Sequence, residues 1–152
     1  MTKIETTNNL IHLAAAALIG LAAFLSGGTA HAASKMVAHV DISDQRMEVL
    51  VDGRQAFEWK VSTARKGYVT PTGSYKPTRL EEMWYSRKYD NSPMPHSVFF
   101  KGGYAVHATN AVKRLGTPAS HGCVRLHPND AADFYKLVQA FGSANTSIVI
   151  TE

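Results

Sequence analysis

The stretch Met47-Glu48-Val49-Leu50-Val51-Asp52-Gly53-Arg54-Gln55-Ala56-Phe57-Glu58-Trp59-Lys60-Val61 decides the fold class. Met47, Val49 and Val51 alternate with Glu48 and Leu50, the two-residue period of a half-buried strand. Asp52-Gly53 suits the positive φ angles of a two-residue hairpin turn, and Phe57, Trp59 and Val61 restart the alternation beyond it. Upstream, Val37, His39 and Asp41 alternate with Ala38, Val40 and Ile42. β structure is therefore expected throughout residues 36–63.

Downstream the pattern breaks at Thr70-Pro71-Thr72-Gly73, and turn-forming residues run on to Pro95. Within them Glu81-Glu82-Met83-Trp84-Tyr85 fits a short helix or a strand equally well. Val98-Phe99-Phe100 and Tyr104-Ala105-Val106 flank Gly102-Gly103, predicting a second hairpin that brings His107 to a strand end, where a rigid element can present it to a cleft. Ala131, Phe134, Leu137, Val138 and Phe141 recur at helical spacing, with Asn129 or Asp130 as the expected N-cap and Gly142 as the stop. Ile148-Val149-Ile150 reads as a closing strand.

The N-terminus is of another kind. Lys3 precedes an Ala- and Leu-rich apolar run over residues 10–25, Gly27, Gly28 and Thr29 end any helix, and Ala30-His31-Ala32 puts small residues where a signal peptidase reads them. Residues 1–32 are expected to be a secretory signal cleaved after Ala32; an uncleaved anchor is the alternative, with a run shorter than the ~20 apolar residues that span a bilayer. Residues 33–152 then form one domain of 120 residues, able to bury a core without disulfides. That part keeps 15 of the 16 Lys and Arg and 11 of the 12 Asp and Glu, so its net charge stays at +4. The sign suits an anionic polymer or surface and equally serves solubility alone. No basic cluster interleaved with aromatics appears, so nucleic acid is not an expected partner.

Cys123 is the only cysteine. A lone thiol in an exported chain has no internal disulfide partner, so a nucleophile explains it better than stabilisation does. With an unperturbed pKa of about 8.5, such a thiol needs a base or a cation beside it. His107, His121, His127 and Arg125 lie nearby in sequence. His107 is the expected base: it would take the thiol proton, giving a thiolate and imidazolium pair, while an acceptor on its other nitrogen holds the ring. A histidine that only satisfies buried polar groups at a strand end is the competing account. Gly122 permits an unusual turn, which makes the N–H groups of Gly122 and Cys123 candidate oxyanion donors. His121 either contacts substrate or props the loop. Arg125 suits a two-pronged contact to a carboxylate, or else a surface ion pair. A different class of reading makes His107, His121, Cys123 and His127 zinc ligands, against which a single glycine separates His121 from Cys123 where structural zinc sites use wider pairs.

The run His107-Ala108-Thr109-Asn110, followed by Leu115-Gly116-Thr117-Pro118-Ala119-Ser120-His121-Gly122-Cys123-Val124-Arg125-Leu126, resembles the active-site signature of the L,D-transpeptidase catalytic domain, the YkuD-like family. Thr70-Pro71-Thr72-Gly73, Met94-Pro95, Phe99-Phe100 and Gly103-Tyr104 extend the likeness over about residues 36–151, and the His-x-Thr-Asn-Ala run resembles the subgroup that attaches proteins to the wall. The resemblance implies a mainly β fold, a sandwich or barrel of sheets with one helix packed on them near the C-terminus. It implies cysteine acyl transfer on peptidoglycan with no cofactor and no metal. Cys123 becomes the nucleophile and His107 the general base; Ser120, His121 and Gly122 line the pocket; Arg125, Tyr104 and Ala108 contact substrate. Since Ala108 has no hydroxyl, a backbone carbonyl is expected to hold the imidazole.

Family members cleave between a diaminopimelate-type residue and the terminal D-Ala of a tetrapeptide stem, forming a thioester. A neighbouring stem's amine then gives a 3–3 cross-link, a protein lysine attaches that protein to the wall, and water in place of an amine makes the enzyme a hydrolase. The implied partners are peptidoglycan stem peptides and an acceptor outer-membrane protein, in the periplasm or cell envelope of a bacterium. Transfer to an amine requires the thioester to be shielded from water, and residues 78–97, with Trp84, Tyr85 and Tyr89, are a candidate lid. Ordinary core packing is the other account of those aromatics.

Overall fold

The computed structural model describes residues 33–152, and the expected signal over residues 1–32 lies outside the described residues. The alternating segments form β1 (Met36–Asp41) and β2 (Arg46–Val51), which bury Met36, Ala38, Val40, Met47 and Val49 on one side. Asp52 and Gly53 have φ of 49° and 78°, the left-handed pair that a tight hairpin requires, and β3 (Arg54–Lys60) follows. β3 lies at the sheet edge, so its alternation does not lead to burial: Phe57 is 38% exposed and stacks on Trp59 with ring centroids 5.1 Å apart.

β4 (Gly73–Tyr75) begins where the Thr-Pro-Thr-Gly break ends, and the closing strand is β9 (Thr146–Thr151). The first sheet runs β3-β2-β1-β9-β4, with β9 parallel to β1 and antiparallel to β4. The last strand therefore enters the middle of the sheet.

The second sheet, β5 (Arg79–Ser86), β6 (Ser92–Lys101), β7 (Tyr104–Ala108) and β8 (Val124–Leu126), contains the second hairpin, turned at Gly102 with φ 52°. Residues 81–85, open between helix and strand on sequence, are strand. His96, with φ 51°, is missing from the otherwise continuous β5–β6 register. Met94 and Phe99, of opposite parity on either side of this left-handed residue, join one small cluster with Ala105, against which Trp84 and Cys123 pack.

The helix α1 (Pro128–Phe141) packs on β6 and β7. Its N-cap is His127, whose Nδ1 accepts from the Asn129 N–H at 3.3 Å, and not Asn129 or Asp130 as expected. Pro128 takes the first helical position, where a missing N–H costs nothing, and that fixes the cap one residue earlier. Gly142, at φ 76°, ends the helix as expected. Ala131, Phe134 and Val138 meet residues of both sheets in a single core with Val98, Val106, Val124, Leu126, Ile148 and Ile150. Among the described residues no helix is long and apolar enough to cross a membrane.

Candidate active site

The parallel pairing of β7 with β8 sets Val106 opposite Val124, His107 opposite Arg125 and Ala108 opposite Leu126. Val106, Ala108, Val124 and Leu126 point into the main core. By the two-residue period, Ala105, His107, Cys123 and Arg125 project from the other face. Cys123 and His107 are then diagonal neighbours across the pair, and both line one cleft of about 290 Å³ together with Arg125, His121, Tyr89 and Pro93 to Pro95. The hairpin β5–β6, the candidate lid, supplies Ser86, Tyr89 and Ser92 to the cleft wall.

His107 is 6% exposed, and its Nδ1 lies 2.7 Å from the carbonyl oxygen of Ala108. A carbonyl only accepts, so Nδ1 bears the proton and Nε2 is left as the basic nitrogen. Ala108 thus reaches the site through its backbone, with its side chain in the core. Burial depresses the His107 pKa to about 4, aided by the charge of Arg125 and opposed by the Ala108 hydrogen bond. Burial also raises the Cys123 thiol, although the Ala105 backbone and Arg125 pull it down. Both shifts favour the uncharged partners. Burial thus opposes charge on both groups, and so works against the thiolate and imidazolium pair expected from sequence.

The loop before Cys123 is clamped by Ser120, which is fully buried. Its Oγ donates to the Cys123 carbonyl at 2.6 Å and accepts from the Gly122 N–H at 2.9 Å. The Gly122 N–H, one of the two candidate oxyanion donors, is thereby occupied, and no internal acceptor among the described residues takes the Cys123 N–H. Gly122 itself has φ 125°, and a Cβ there would come within 2.5 Å of Tyr104 Cε1 and 2.7 Å of the Val69 carbonyl. Tyr104 accordingly packs its ring over the glycine.

Arg125 exchanges backbone hydrogen bonds with Ser62, both at 3.0 Å, and Thr63 O accepts from Ala119 and Ser120 at 3.0 and 2.9 Å. This brace from the segment after β3 has no motif of its own and was not visible in the sequence. Arg125 Nη1 reaches only the Ala119 carbonyl, at 3.4 Å, and no carboxylate pairs with it among the described residues.

His121 is held by rings: Tyr89 stacks on it at 4.3 Å and Tyr68 meets it edge-on at 4.6 Å. A second cleft, of about 480 Å³, adjoins the first and shares Tyr89, Gly103, His121 and Cys123 with it, adding Tyr68, Val69, Lys88 and Tyr104. The four candidate zinc ligands do not assemble. His127 caps α1, and no group of three or more metal-binding side chains occurs among the described residues.

The L,D-transpeptidase catalytic domain (YkuD) family model matches residues 35–150. Among solved structures, an L,D-transpeptidase from Mycobacterium smegmatis superposes with a TM-score of 0.69 at 24% identity, covering 78% of this chain and 59% of that one. One from Stackebrandtia nassauensis gives 0.68 at 27% identity, covering 78% and 56%. L,D-transpeptidase 3 from Mycobacterium tuberculosis, solved with a faropenem-derived adduct, gives 0.68 at 23% identity, covering 78% and 61%. The chain thus spans less than two thirds of the length of these structures. No curated protein matches it. The mainly β architecture of two sheets and one helix is that of these structures.

Proposed function

Because this chain belongs to the L,D-transpeptidase catalytic domain family, we propose that it is a cysteine acyltransferase acting on the tetrapeptide stems of peptidoglycan, with Cys123 as nucleophile and His107 as general base. The observation that supports this best is the fixed imidazole. The Ala108 carbonyl holds Nδ1–H, which leaves Nε2 free to accept a proton in the same cleft as the thiol. The stem lies in the cleft of His107 and Arg125, where a stem carboxylate meets the unpaired guanidinium.

As sulfur attacks the carbonyl carbon, its proton moves to Nε2 and the Cys123 N–H faces the oxyanion. Collapse expels the terminal D-Ala, whose amine takes the proton from His107, and a thioester remains. An amine then attacks that thioester. Tyr89 and the β5–β6 hairpin keep water from it, so transfer outruns hydrolysis. Residues 1–32 act as a cleaved signal that delivers residues 33–152 to the cell envelope.

Incubation with tetrapeptide-stem muropeptides and a free amine, with products read by mass, tests the reading: a stem adduct on Cys123 followed by amine-linked tripeptide is expected. Full turnover by Cys123→Ala would refute it. Faropenem is likewise expected to add mass to the wild type and none to Cys123→Ala, following the adduct of the M. tuberculosis relative.

A further inference from the structure

We propose that the second cleft, flanked by Lys88 and Arg65, admits acceptors whose amine lies beside a carboxylate, and that these two cations select such acceptors over isolated amines such as a protein lysine. This rests on the transpeptidase reading above and concerns only its second half-reaction.

The cleft has no acidic residue in its lining of Tyr68, Val69, Lys88, Tyr89, Gly103, Tyr104, His121 and Cys123. Lys88 Nζ lies 5.5 Å from the Tyr89 ring centre, and the Arg65 guanidinium 4.9 Å from that of Tyr68. Those two rings are the ones that hold His121. Ion pairs among the described residues are Arg46 with Glu58 and Arg79 with Glu81, so neither Lys88 nor Arg65 is neutralised by a carboxylate. Arg125 adds a third cation from the adjoining cleft. His121, in the middle, is harder to protonate than usual, first through burial and then through Arg65, Arg125 and Lys88.

An incoming amine meets the same field. The field favours the neutral form, whose lone pair attacks the thioester carbonyl: the C–N bond forms, the C–S bond breaks, and the amine's proton passes by way of His107 to the departing sulfur. An isolated ammonium must approach Lys88 and Arg65 with nothing to offset its charge. A carboxylate on the same carbon compensates by facing Lys88 and Arg65. The amine-bearing end of a second stem's diaminopimelate-type residue has that arrangement, and so does a free amino acid. A lysine side chain within a protein does not. The structure thus favours cross-linking or amino-acid exchange over protein attachment.

The test uses the full chain, a tetrapeptide stem as donor, and glycine or glycinamide as acceptor. Glycinamide carries the less basic amine and so is the more available nucleophile at neutral pH, which biases the comparison against the proposal. Wild-type kcat/KM is expected to favour glycine by about tenfold, less at high salt, with the ratio near one or reversed in Lys88→Glu and Arg65→Glu. No preference in the wild type, or a preference that survives both charge reversals, overturns the assignment. A normal stem adduct on Cys123 with no acceptor preference defeats this inference alone. If no adduct forms, the transpeptidase reading falls and this one falls with it.

Discussion

His107 couples the site's chemistry to the stability of the fold. Its native pKa of about 4 lies below the ordinary 6.5, so between those values the unfolded chain binds a proton that the folded chain refuses. Stability is therefore complete above pH 6.5 and falls as the pH drops toward 4, by up to about 3 kcal/mol. Urea midpoints at pH 7 and pH 4.5 should show the loss, and His107→Gln should reduce it. The same depression places the acid limb of kcat/KM well below pH 6.5, since the base stays neutral there. His107→Gln is expected to lose about 10²- to 10⁴-fold in kcat while keeping its circular dichroism spectrum. Gly122→Ala should be worse for the fold, costing about 1–3 kcal/mol in thermal or urea unfolding, because φ 125° and the contacts to Tyr104 and Val69 both oppose a Cβ. Cys123 and His107, which line one cleft, and Gly122, whose backbone suits only glycine, stand out in the sequence because the proposed chemistry and the left-handed turn restrict residue type there. The clamp of Ser120 and the brace of Thr63 could not, since a buried hydroxyl and a backbone carbonyl leave no distinctive letter.

The short parallel pair of β7 and β8 brings His107 and Cys123 to one cleft, and sequence patterning did not reveal it: β8 has three residues, too few for a period to show. The hairpins were legible, because Asp52-Gly53 and Gly102-Gly103 mark turns between alternating runs. Residues 81–85 stayed ambiguous for a physical reason. β5 is an edge strand whose Met83 and Tyr85 are 46% and 54% exposed, so neither a strand period nor a helix period is enforced by burial. The helix cap was misplaced by two or three residues, although Pro128 at the first helical position is a recognised pointer to the residue before it. His127→Ala should cost about 0.5–1 kcal/mol in thermal unfolding without altering turnover. The β5–β6 hairpin reaches the catalytic loop through the stack of Tyr89 on His121. Tyr89→Ala should loosen that contact and raise the share of tripeptide hydrolysis product over amine-linked product, as read by mass.

Across the whole molecule, the two sheets and α1 close over a single core, and the catalytic face is the side of the second sheet turned away from it. The main core and the cleft thus share strands while drawing on opposite faces of them, and Cys123 packs only against the small cluster of Met94, Phe99 and Ala105. Strand order was the global property the sequence withheld, since alternation shows which residues face inward but not which strands are neighbours. The order has a consequence of its own. β9, made of residues 146–151, lies between β1 and β4, so the first and last strands must find each other before the first sheet is whole. β1 has no partner on that side until residues 146–151 have been made, so the first sheet stays open while the hairpins between them can already form.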